Sequence, residues 1–284
     1  MKHSLKWNRN KTTRNNFITY GVVILAYVIM QIMSSADALS STMEGRPCAS
    51  LALLGAAFSC KLQTVFVLPL WGALVLLRRV PLRALLCFPA AYAATCVPAL
   101  LLGKPLGDIL GVYLGQASEY SDYLNLNAPN LYAFLPYDAQ VDTAAAARLG
   151  ILIAFALALA VIAALWLLRR RADDRVLLTA AVLLAVGVPF FLPHMHERYF
   201  FLADVLSLAW ACAAPRFSPA ALLVQLSSFG AYVVVLREAY TRIIALGGKL
   251  YPMLCEGSLM LGALVFTAAA FAVQLRRRPP APET

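Results

Sequence analysis

A short string with two imidazoles, an acid and a base is the strongest chemical signal in the sequence. It reads His194-Met195-His196-Glu197-Arg198 and stands between two apolar runs. Ionisable side chains at a membrane boundary are costly and tend to mark a site or a pathway. On a continuous helix, His194, Glu197 and Arg198 would share one face and His196 would point away. The string therefore predicts a polar site, although a cluster that only anchors helices at the interface has the same composition.

A metal site is a second interpretation of this string, because His-x-His-Glu could supply three ligands. The metalloprotease motif HExxH is absent, since Phe200 occupies the fourth position after His196. We therefore expect no cofactor and no metal ligand in the chain, with a divalent metal ion kept as an alternative.

Further charged or polar residues lie inside otherwise apolar sequence. Lys61 and Gln63 interrupt the run Ala49–Leu77, where a cation could hold an anion such as a lipid phosphate. The alternative for Lys61 is a side chain that snorkels to the nearer interface. Asp204 lies within the run Tyr199–Ala214, and its position favours a structural role in which it pairs with a neighbouring polar group.

A stretch rich in amides and aromatic rings, NLNAPNLYAFLP, occupies 125–136. Amides such as Asn130 can form paired hydrogen bonds with sugar hydroxyls, and rings such as Tyr132 can stack on the CH faces of a sugar. The stretch belongs to the long segment Gly103–Arg148, and loops of that length are usually functional or disordered. It predicts sugar binding, with an interfacial aromatic belt as the alternative.

The elements that must position these residues follow from an extreme composition. Hydrophobic residues make up 61% of the 284 residues and charged residues only 13%, against about 25% charged in soluble domains. Mean hydropathy is +0.73, so a membrane protein is the class that fits. The net charge of +10 does not indicate a nucleic-acid partner, because the basic residues stand in short clusters between apolar runs.

The apolar runs predict an all-α, polytopic transmembrane helical bundle of about eight spans, since one span needs about 20 apolar residues. They are Phe17–Met33, Ala49–Leu77, Leu85–Leu102, Leu149–Leu168, Val176–Pro193, Tyr199–Ala214, Pro219–Leu236 and Gly257–Leu275. The second run has 29 residues, more than one upright span needs, and is interrupted at Lys61. It is therefore either a tilted, broken span or a re-entrant pair of half-helices.

Basic clusters set the predicted orientation, because loops rich in Lys and Arg stay in the cytoplasm. They lie at 78–83, 169–175 and 276–278, and a further basic stretch precedes the first apolar run. With these inside, the histidine string and Gly103–Arg148 face outward. We therefore expect a multi-pass protein of the plasma membrane with an extracytoplasmic site, and a short cytoplasmic tail at 279–284.

The six cysteines show no CxxC pair and no zinc spacing. Most lie inside apolar runs, where cysteine acts as a small hydrophobic residue. A Cys48–Cys255 bridge is conceivable only if both residues face an oxidising side and meet disulfide geometry.

Three stretches in order resemble a family of membrane enzymes. They are KLQ at 61–63, NAPNLYAFLP at 127–136 and FFLPHMHERYFFLADVLSLA at 190–209. Together they resemble bacterial multi-spanning glycosyltransferases of the C superfamily, in particular those related to the second GPI mannosyltransferase. The His-x-His-Glu element is also similar to one in the glucosyltransferases of lipid-linked oligosaccharides. The resemblance covers a multi-spanning domain at 45–278.

The resemblance implies a C-type fold and a hexosyltransferase activity, mannosyl or related, on the outer face of the membrane. Sugar would pass from a polyprenyl-phosphate donor to a glycan or lipid acceptor in an inverting displacement with a carboxylate base. By similarity, the residues that bind donor or substrate would be Lys61, Gln63, Asn130, Tyr132, His194, His196, Glu197 and Arg198.

The chain departs from this family before the matched part. Family members place a catalytic Asp in the first outer loop, whereas 1–44 is a divergent N-terminal segment with one expected transmembrane helix. Asp37 is the positional candidate for that base. We expect an N-terminally truncated or rearranged member. Two other functions stay open: a transporter or flippase of a lipid-linked sugar, and a non-catalytic remnant that still binds the lipid.

Overall fold

The computed structural model describes residues 37–111, 123–136, 139–236, 244–246, 249–251 and 253–276, and these are mostly helical. The main helices are α1 (Pro47–Cys60), α2 (Leu68–Leu76), α3 (Cys87–Leu101), α4 (Thr143–Leu167), α5 (Asp174–Phe191), α6 (Phe201–Ala213), α7 (Ser218–Leu236) and α8 (Leu254–Arg276). Two strand pairs complete the fold. The parallel pair joins β1 (Asn125–Leu126) to β2 (Met195–His196), and the antiparallel pair joins β3 (Ile244–Leu246) to β4 (Lys249–Tyr251).

Long apolar helices confirm the predicted class, a membrane-embedded helical bundle. Five segments are long and apolar enough to cross a bilayer: Leu82–Leu101, Thr143–Leu167, Asp174–Phe191, Pro215–Val235 and Leu254–Arg276. The count of about eight spans stays a prediction. The run Phe17–Met33 lies outside the described residues, and Tyr199–Ala214 forms part of a 3-10 turn followed by the short helix α6.

Local sequence explains where the long helices begin. Asp142 Oδ1 accepts a hydrogen bond from the Ala145 amide at 3.0 Å, and Asp173 Oδ1 accepts one from the Val176 amide at 2.9 Å. Each carboxylate thereby caps an amide that the first helical turn leaves without a partner. Helix α5 is the central helix, because 78% of its residues are buried and α4, α6 and α8 all pack against it.

The interrupted run Ala49–Leu77 forms a helical hairpin. Helix α1 ends before Lys61, whose backbone is extended (φ −159°, ψ 133°), and a 3-10 turn at Leu62–Val67 leads into α2. The indole Nε1 of Trp71 donates to Ser50 Oγ at 2.9 Å. In one continuous helix these two residues would be about 30 Å apart. The two halves therefore lie side by side, which favours the re-entrant pair over a single tilted span.

The basic clusters gather at one end of the bundle, the arginine end. Arg79, which follows the hairpin, pairs with Asp174 at 2.7 Å. Arg171 Nη1 donates to the Leu275 carbonyl at 2.9 Å. Helix α5 runs from this end to the opposite one, where residues 194–198 follow it. That opposite end is the histidine end.

Helix α3 packs against α1 at a close backbone contact. A methyl group added to Gly55 in α1 would overlap with the Phe88 carbonyl oxygen of α3. The ring of Phe58 packs against those of Phe88 and Tyr92, with centroids 5.5 and 5.4 Å apart. Only 11% of Leu82–Leu101 is buried by the described part of the chain. The hairpin therefore holds α3, and the described residues leave most of the surface of α3 uncovered.

The hairpin predicts a cross-link between Cys48 and Cys87. Their thiols lie within hydrogen-bonding reach of each other, at the start of α1 and the start of α3, and both are free. Oxidation of the protein in membranes by copper phenanthroline should therefore join them, as measured by mass spectrometry of the linked peptides. A single tilted span would place Cys48 far from Cys87 and give no such product, and the Cys87→Ser variant is the control.

The Cys48–Cys255 bridge considered from the sequence is not formed. Cys255 lies in the first turn of α8, whose other end reaches Arg171 at the arginine end. Cys48 lies near that arginine end, at the base of the hairpin. The two thiols therefore sit at opposite ends of the bundle.

Candidate functional site

The segment 123–136, which the sequence predicts to face outward and which is called the outer segment, docks on the histidine string by backbone pairing. Strands β1 and β2 run in parallel, with Leu126 opposite His196. The His194 amide donates to the Leu124 carbonyl at 2.9 Å, and His194 Nδ1 lies 2.6 Å from the Tyr123 carbonyl. Because a carbonyl oxygen can only accept, His194 Nδ1 is the donor in this contact. These contacts hold the amide-rich stretch against the string.

The histidine string is not a helix, contrary to the expectation from its spacing. His194 has a left-handed backbone (φ 60°), Met195 and His196 are extended, and helical turns begin at Glu197. The reason is the pairing with β1, because backbone groups that bond to a neighbouring strand cannot also bond along a helix. His194, Glu197 and Arg198 therefore do not share a helix face.

Glu197 is the buried acid of the string. The residue is 9% exposed, and its Oε2 lies 3.9 Å from His196 Nδ1. Burial and the charge of Arg198 lower the pKa of His196 below its usual range, so the ring is neutral at pH 7. The two side chains are therefore not an ion pair at neutral pH. The Lys61 ammonium group lies within electrostatic range of the Glu197 carboxylate.

Lys61 lies at the turn of the hairpin, beside the histidine string. Burial and the charge of Arg198 lower the pKa of its ammonium group, and the charge of Glu197 raises it. A partly buried cation that faces a second cation is held at an energetic cost. Two cations and one carboxylate leave a surplus of positive charge, which an anion would offset.

Gln63 joins the hairpin to the histidine string. It is fully buried, and its Nε2 donates to the Arg198 carbonyl at 2.7 Å. In the described structure, Gln63 Oε1 and the neighbouring Thr64 Oγ1 are buried and have no hydrogen-bond partner. Such atoms are rare in folded proteins and often mark a place for water, an ion or a ligand. The polar cluster is defined as Lys61, Gln63, His196, Glu197 and Arg198.

Asn130 and Tyr132 hold the outer segment in place. Asn130 Oδ1 accepts from the Tyr132 amide at 3.0 Å, and Asn130 Nδ2 donates to the Leu192 carbonyl at 3.3 Å. The Tyr132 hydroxyl lies 3.2 Å from both the Ala146 and the Phe191 carbonyl and can donate to either. Both residues are buried, and their polar side-chain atoms are engaged by protein. Their observed role is to position the segment; the predicted contact with a sugar would require these bonds to change.

Asp37 is not brought to the polar cluster. It is exposed and lies in a helical segment at 37–43, in which Thr42 Oγ1 is 2.5 Å from Ser50 Oγ. Ser50 belongs to the first turn of α1, about 15 Å from Lys61 along that helix. The acid that the fold places there is Glu197.

Two groups on α7 belong near the site and were not singled out from the sequence. Tyr232 interacts with the charges of Asp204, Glu197 and Arg198. The Ser228 hydroxyl faces the Asp204 carboxyl. A pair of adjacent serines in the apolar run Pro219–Leu236 was the available signal, because hydroxyls are uncommon in a lipid-facing position.

The metal interpretation finds no geometry to support it. Within the ranges that the structure describes, no group of three or more His, Cys, Asp or Glu side chains could hold a metal ion. His194 Nδ1 is engaged by a carbonyl, and His196 lies beside Glu197. The polar cluster can instead hold an anion with Lys61 and Arg198 and accept a proton on Glu197.

No family model, no curated protein and no solved structure matches this chain.

Proposed function

We propose that the chain is a membrane-embedded glycosyltransferase that moves a hexose, mannose or a related sugar, from a polyprenyl-phosphate donor to a glycan or lipid acceptor. The observation that carries the proposal is the contact between Gln63 and Arg198, which brings Lys61 to the buried acid Glu197. Residues far apart in the sequence thereby combine an anion site with a proton acceptor. Transfer from a lipid phosphate requires both.

Lys61 and Arg198 form the proposed site for the donor phosphate. Lys61 is partly buried and Arg198 is exposed, so one cation lies within the protein and the other at its surface. A charge pair is stronger where water is partly excluded, and Arg binds phosphate oxygens in a forked geometry. A phosphate between them would also offset the repulsion between the two cations. The donor's lipid chains would remain in the surrounding membrane.

Glu197 is the proton acceptor of the proposed reaction. The acceptor hydroxyl gives its proton to the Glu197 carboxylate while its oxygen bonds to the anomeric carbon of the sugar. The bond between that carbon and the phosphate oxygen breaks, and its electron pair leaves with the lipid phosphate. Lys61 and Arg198 then offset the charge that develops on the leaving group.

In this proposal the site faces the outside of the cell. Arg79 and Arg171 lie at the arginine end with Arg276, whose carbonyl accepts from Arg171 at 3.4 Å. Ends of membrane bundles that are rich in arginine stay in the cytoplasm. The histidine end would then meet the outer leaflet of the plasma membrane, where the polyprenyl donor would be used.

Transfer by the purified protein tests the proposal. Proteoliposomes would receive mannosyl polyprenyl phosphate labelled in the sugar, with total membrane lipid as the source of acceptor, and labelled product would be separated from donor. We expect product from the wild type and at least about 100-fold less from Glu197→Gln, since a general base contributes about 10²- to 10⁴-fold. Asp37→Asn should stay active, because Asp37 lies on a segment attached to the first turn of α1.

Each other outcome selects an alternative. Donor that crosses the bilayer with its sugar bond intact, equally fast in Glu197→Gln, would establish a transporter or flippase. Donor binding without turnover in the wild type would establish a non-catalytic remnant. Activity that is lost in Asp37→Asn and kept in Glu197→Gln would assign the role of general base to Asp37 instead of Glu197.

A further inference from the structure

The loop between α4 and α5 connects three parts of the arginine end. Arg79, which follows α2, reaches this loop: its Nη1 donates to Asp174 Oδ1 at 2.7 Å and its Nη2 to the Ala172 carbonyl at 2.9 Å. From the loop itself, Arg171 Nη1 donates to the Leu275 carbonyl near the end of α8 at 2.9 Å. These bonds join three segments of the chain, and each segment carries further arginines.

Five exposed arginines lie on these joined segments and are called the arginine patch. They are Arg78, Arg169, Arg170, Arg175 and Arg276. The ion pairs formed within the described ranges include none of them. The two acids of the loop are engaged elsewhere, since Asp174 pairs with Arg79 and Asp173 caps α5. The described residues therefore leave the patch with a surplus of positive charge.

Exposed apolar side chains lie directly beside the patch in the described structure. Trp166 and Leu167, in the last turn of α4, are 45% and 68% exposed, and Arg169 begins the next turn. Leu76, at the end of α2, is 51% exposed, and Arg78 follows two residues later. Tryptophan is favoured where the hydrocarbon of a bilayer meets the headgroups. This order would place the guanidinium groups at about the depth of the lipid phosphates.

Arginine is the basic residue that the sequence uses in all three clusters of this end. The ranges 78–83, 169–175 and 276–278 contain ten arginines and no lysine. Orientation in the membrane does not require this choice, because lysine and arginine both keep a loop in the cytoplasm. The two differ towards phosphate: a planar guanidinium can donate two parallel hydrogen bonds, whereas an ammonium group acts as a point charge. The composition therefore favours contact with phosphate.

We infer that the arginine patch binds the headgroups of anionic phospholipids in the leaflet at this end, through forked contacts from arginine to the phosphate. The ammonium group of a zwitterionic headgroup would be repelled by the surplus of positive charge, so a headgroup with a net negative charge binds better. Basic clusters beside a spanning helix attract anionic lipid in this way. Trp166 and Leu167 add contact with the acyl chains, which a soluble phosphate lacks. This surface does not rest on the proposed transfer.

Quenching of Trp166 fluorescence measures which lipid lies beside the patch. The protein would be placed in phosphatidylcholine nanodiscs with a small fraction of brominated phosphatidylglycerol or of brominated phosphatidylcholine, because bromine quenches tryptophan on contact. Trp71 and Trp210 are at most 3% exposed, and a Trp166→Phe protein gives the signal to subtract. We expect phosphatidylglycerol to be preferred at least about fivefold, since one arginine near the surface contributes about 1 kcal/mol.

Variants at the end of α4 test the contact itself. The double variant Arg169→Gln, Arg170→Gln should lose most of the preference. The double variant Arg169→Lys, Arg170→Lys keeps the charge and should show an intermediate preference, because the forked geometry is lost. Arg148→Gln is the matched control and should keep the full preference, since Arg148 is exposed near the other end of the same helix.

Equal quenching by the two lipids in the wild type, or the full preference in the glutamine variant, would overturn the lipid-binding surface. The full preference in the lysine variant would overturn the forked contact, and this variant decides if the glutamine variant does not fold. Glycerol 3-phosphate that abolishes the preference would replace the lipid by a soluble phosphate and overturn the inference. A protein that prefers phosphatidylglycerol and transfers no sugar would lose the proposed function and keep this surface.

Discussion

Lys61→Met should lower sugar transfer by about 10- to 100-fold, since a contact to a charged group contributes about 1.5–3 kcal/mol and about 1.4 kcal/mol is tenfold in rate. The same variant should be at least as stable as the wild type. The Lys61 ammonium is partly buried and faces Arg198, so folding keeps it charged at a cost. Methionine removes that charge and keeps a flexible apolar side chain of similar length.

Initial rates of transfer and the midpoint of thermal unfolding in one detergent measure both effects. Lys104→Met is the matched control, because Lys104 is exposed beyond the end of α3 and should change neither quantity. A Lys61→Met protein that is inactive and also less stable would give Lys61 a structural role. Unchanged transfer would remove Lys61 from the proposed phosphate site.

Gly150→Ala should destabilise the protein by about 2 kcal/mol, the range expected for overpacking combined with a lost buried hydrogen bond. In most helices this change stabilises by about 1 kcal/mol, because glycine is the more flexible residue. Here the added methyl group would overlap with the Tyr132 hydroxyl and the Phe191 carbonyl. Tyr132 would have to move, and the outer segment that it holds would lose its attachment to α4 and α5.

Thermal unfolding measures the loss of stability, and limited proteolysis of 103–142 measures whether the outer segment has lost its attachment. Gly262→Ala is the matched control, because its methyl group would make only an ordinary contact with Leu223 Cδ1 at 3.5 Å in the same kind of helix. The control should be as stable as the wild type or slightly more so. If both variants unfold and are cleaved alike, the outer segment is not held through Tyr132.

The sequence was informative for features that depend on residues close together in the chain. Apolar runs and short basic clusters are set by the membrane itself, so they predicted the helical bundle and the gathering of arginines at one end. The run Leu149–Leu168 corresponds to α4, although the helix begins earlier, after the cap at Asp142. The histidine string, Lys61 and Gln63 were each identified by an unusual polar residue in apolar surroundings, and the fold brings them together.

What the sequence could not supply depends on contacts between distant residues. The hairpin at Lys61 is fixed by Trp71 and Ser50, whose bond no local pattern reveals. The histidine string satisfied a helical spacing, yet strand pairing with Asn125–Leu126 overrides it. Tyr232 was passed over for the same reason, because a single tyrosine in an apolar run is ordinary until a neighbouring helix supplies the acids.

Lipid tails compete with α3 for its place on α1. Hydrocarbon chains are as apolar as leucine. When two helices associate within the membrane, the hydrophobic effect therefore does not favour their contact. The gain comes from shape: Gly55 allows the α1 backbone to reach the Phe88 carbonyl and leaves no gap for a tail to fill. Helix α1, which ends beside Lys61, therefore packs closely against α3 because Gly55 has no side chain. A methyl group at position 55 would separate the two helices and allow lipid to enter the contact between α1 and α3.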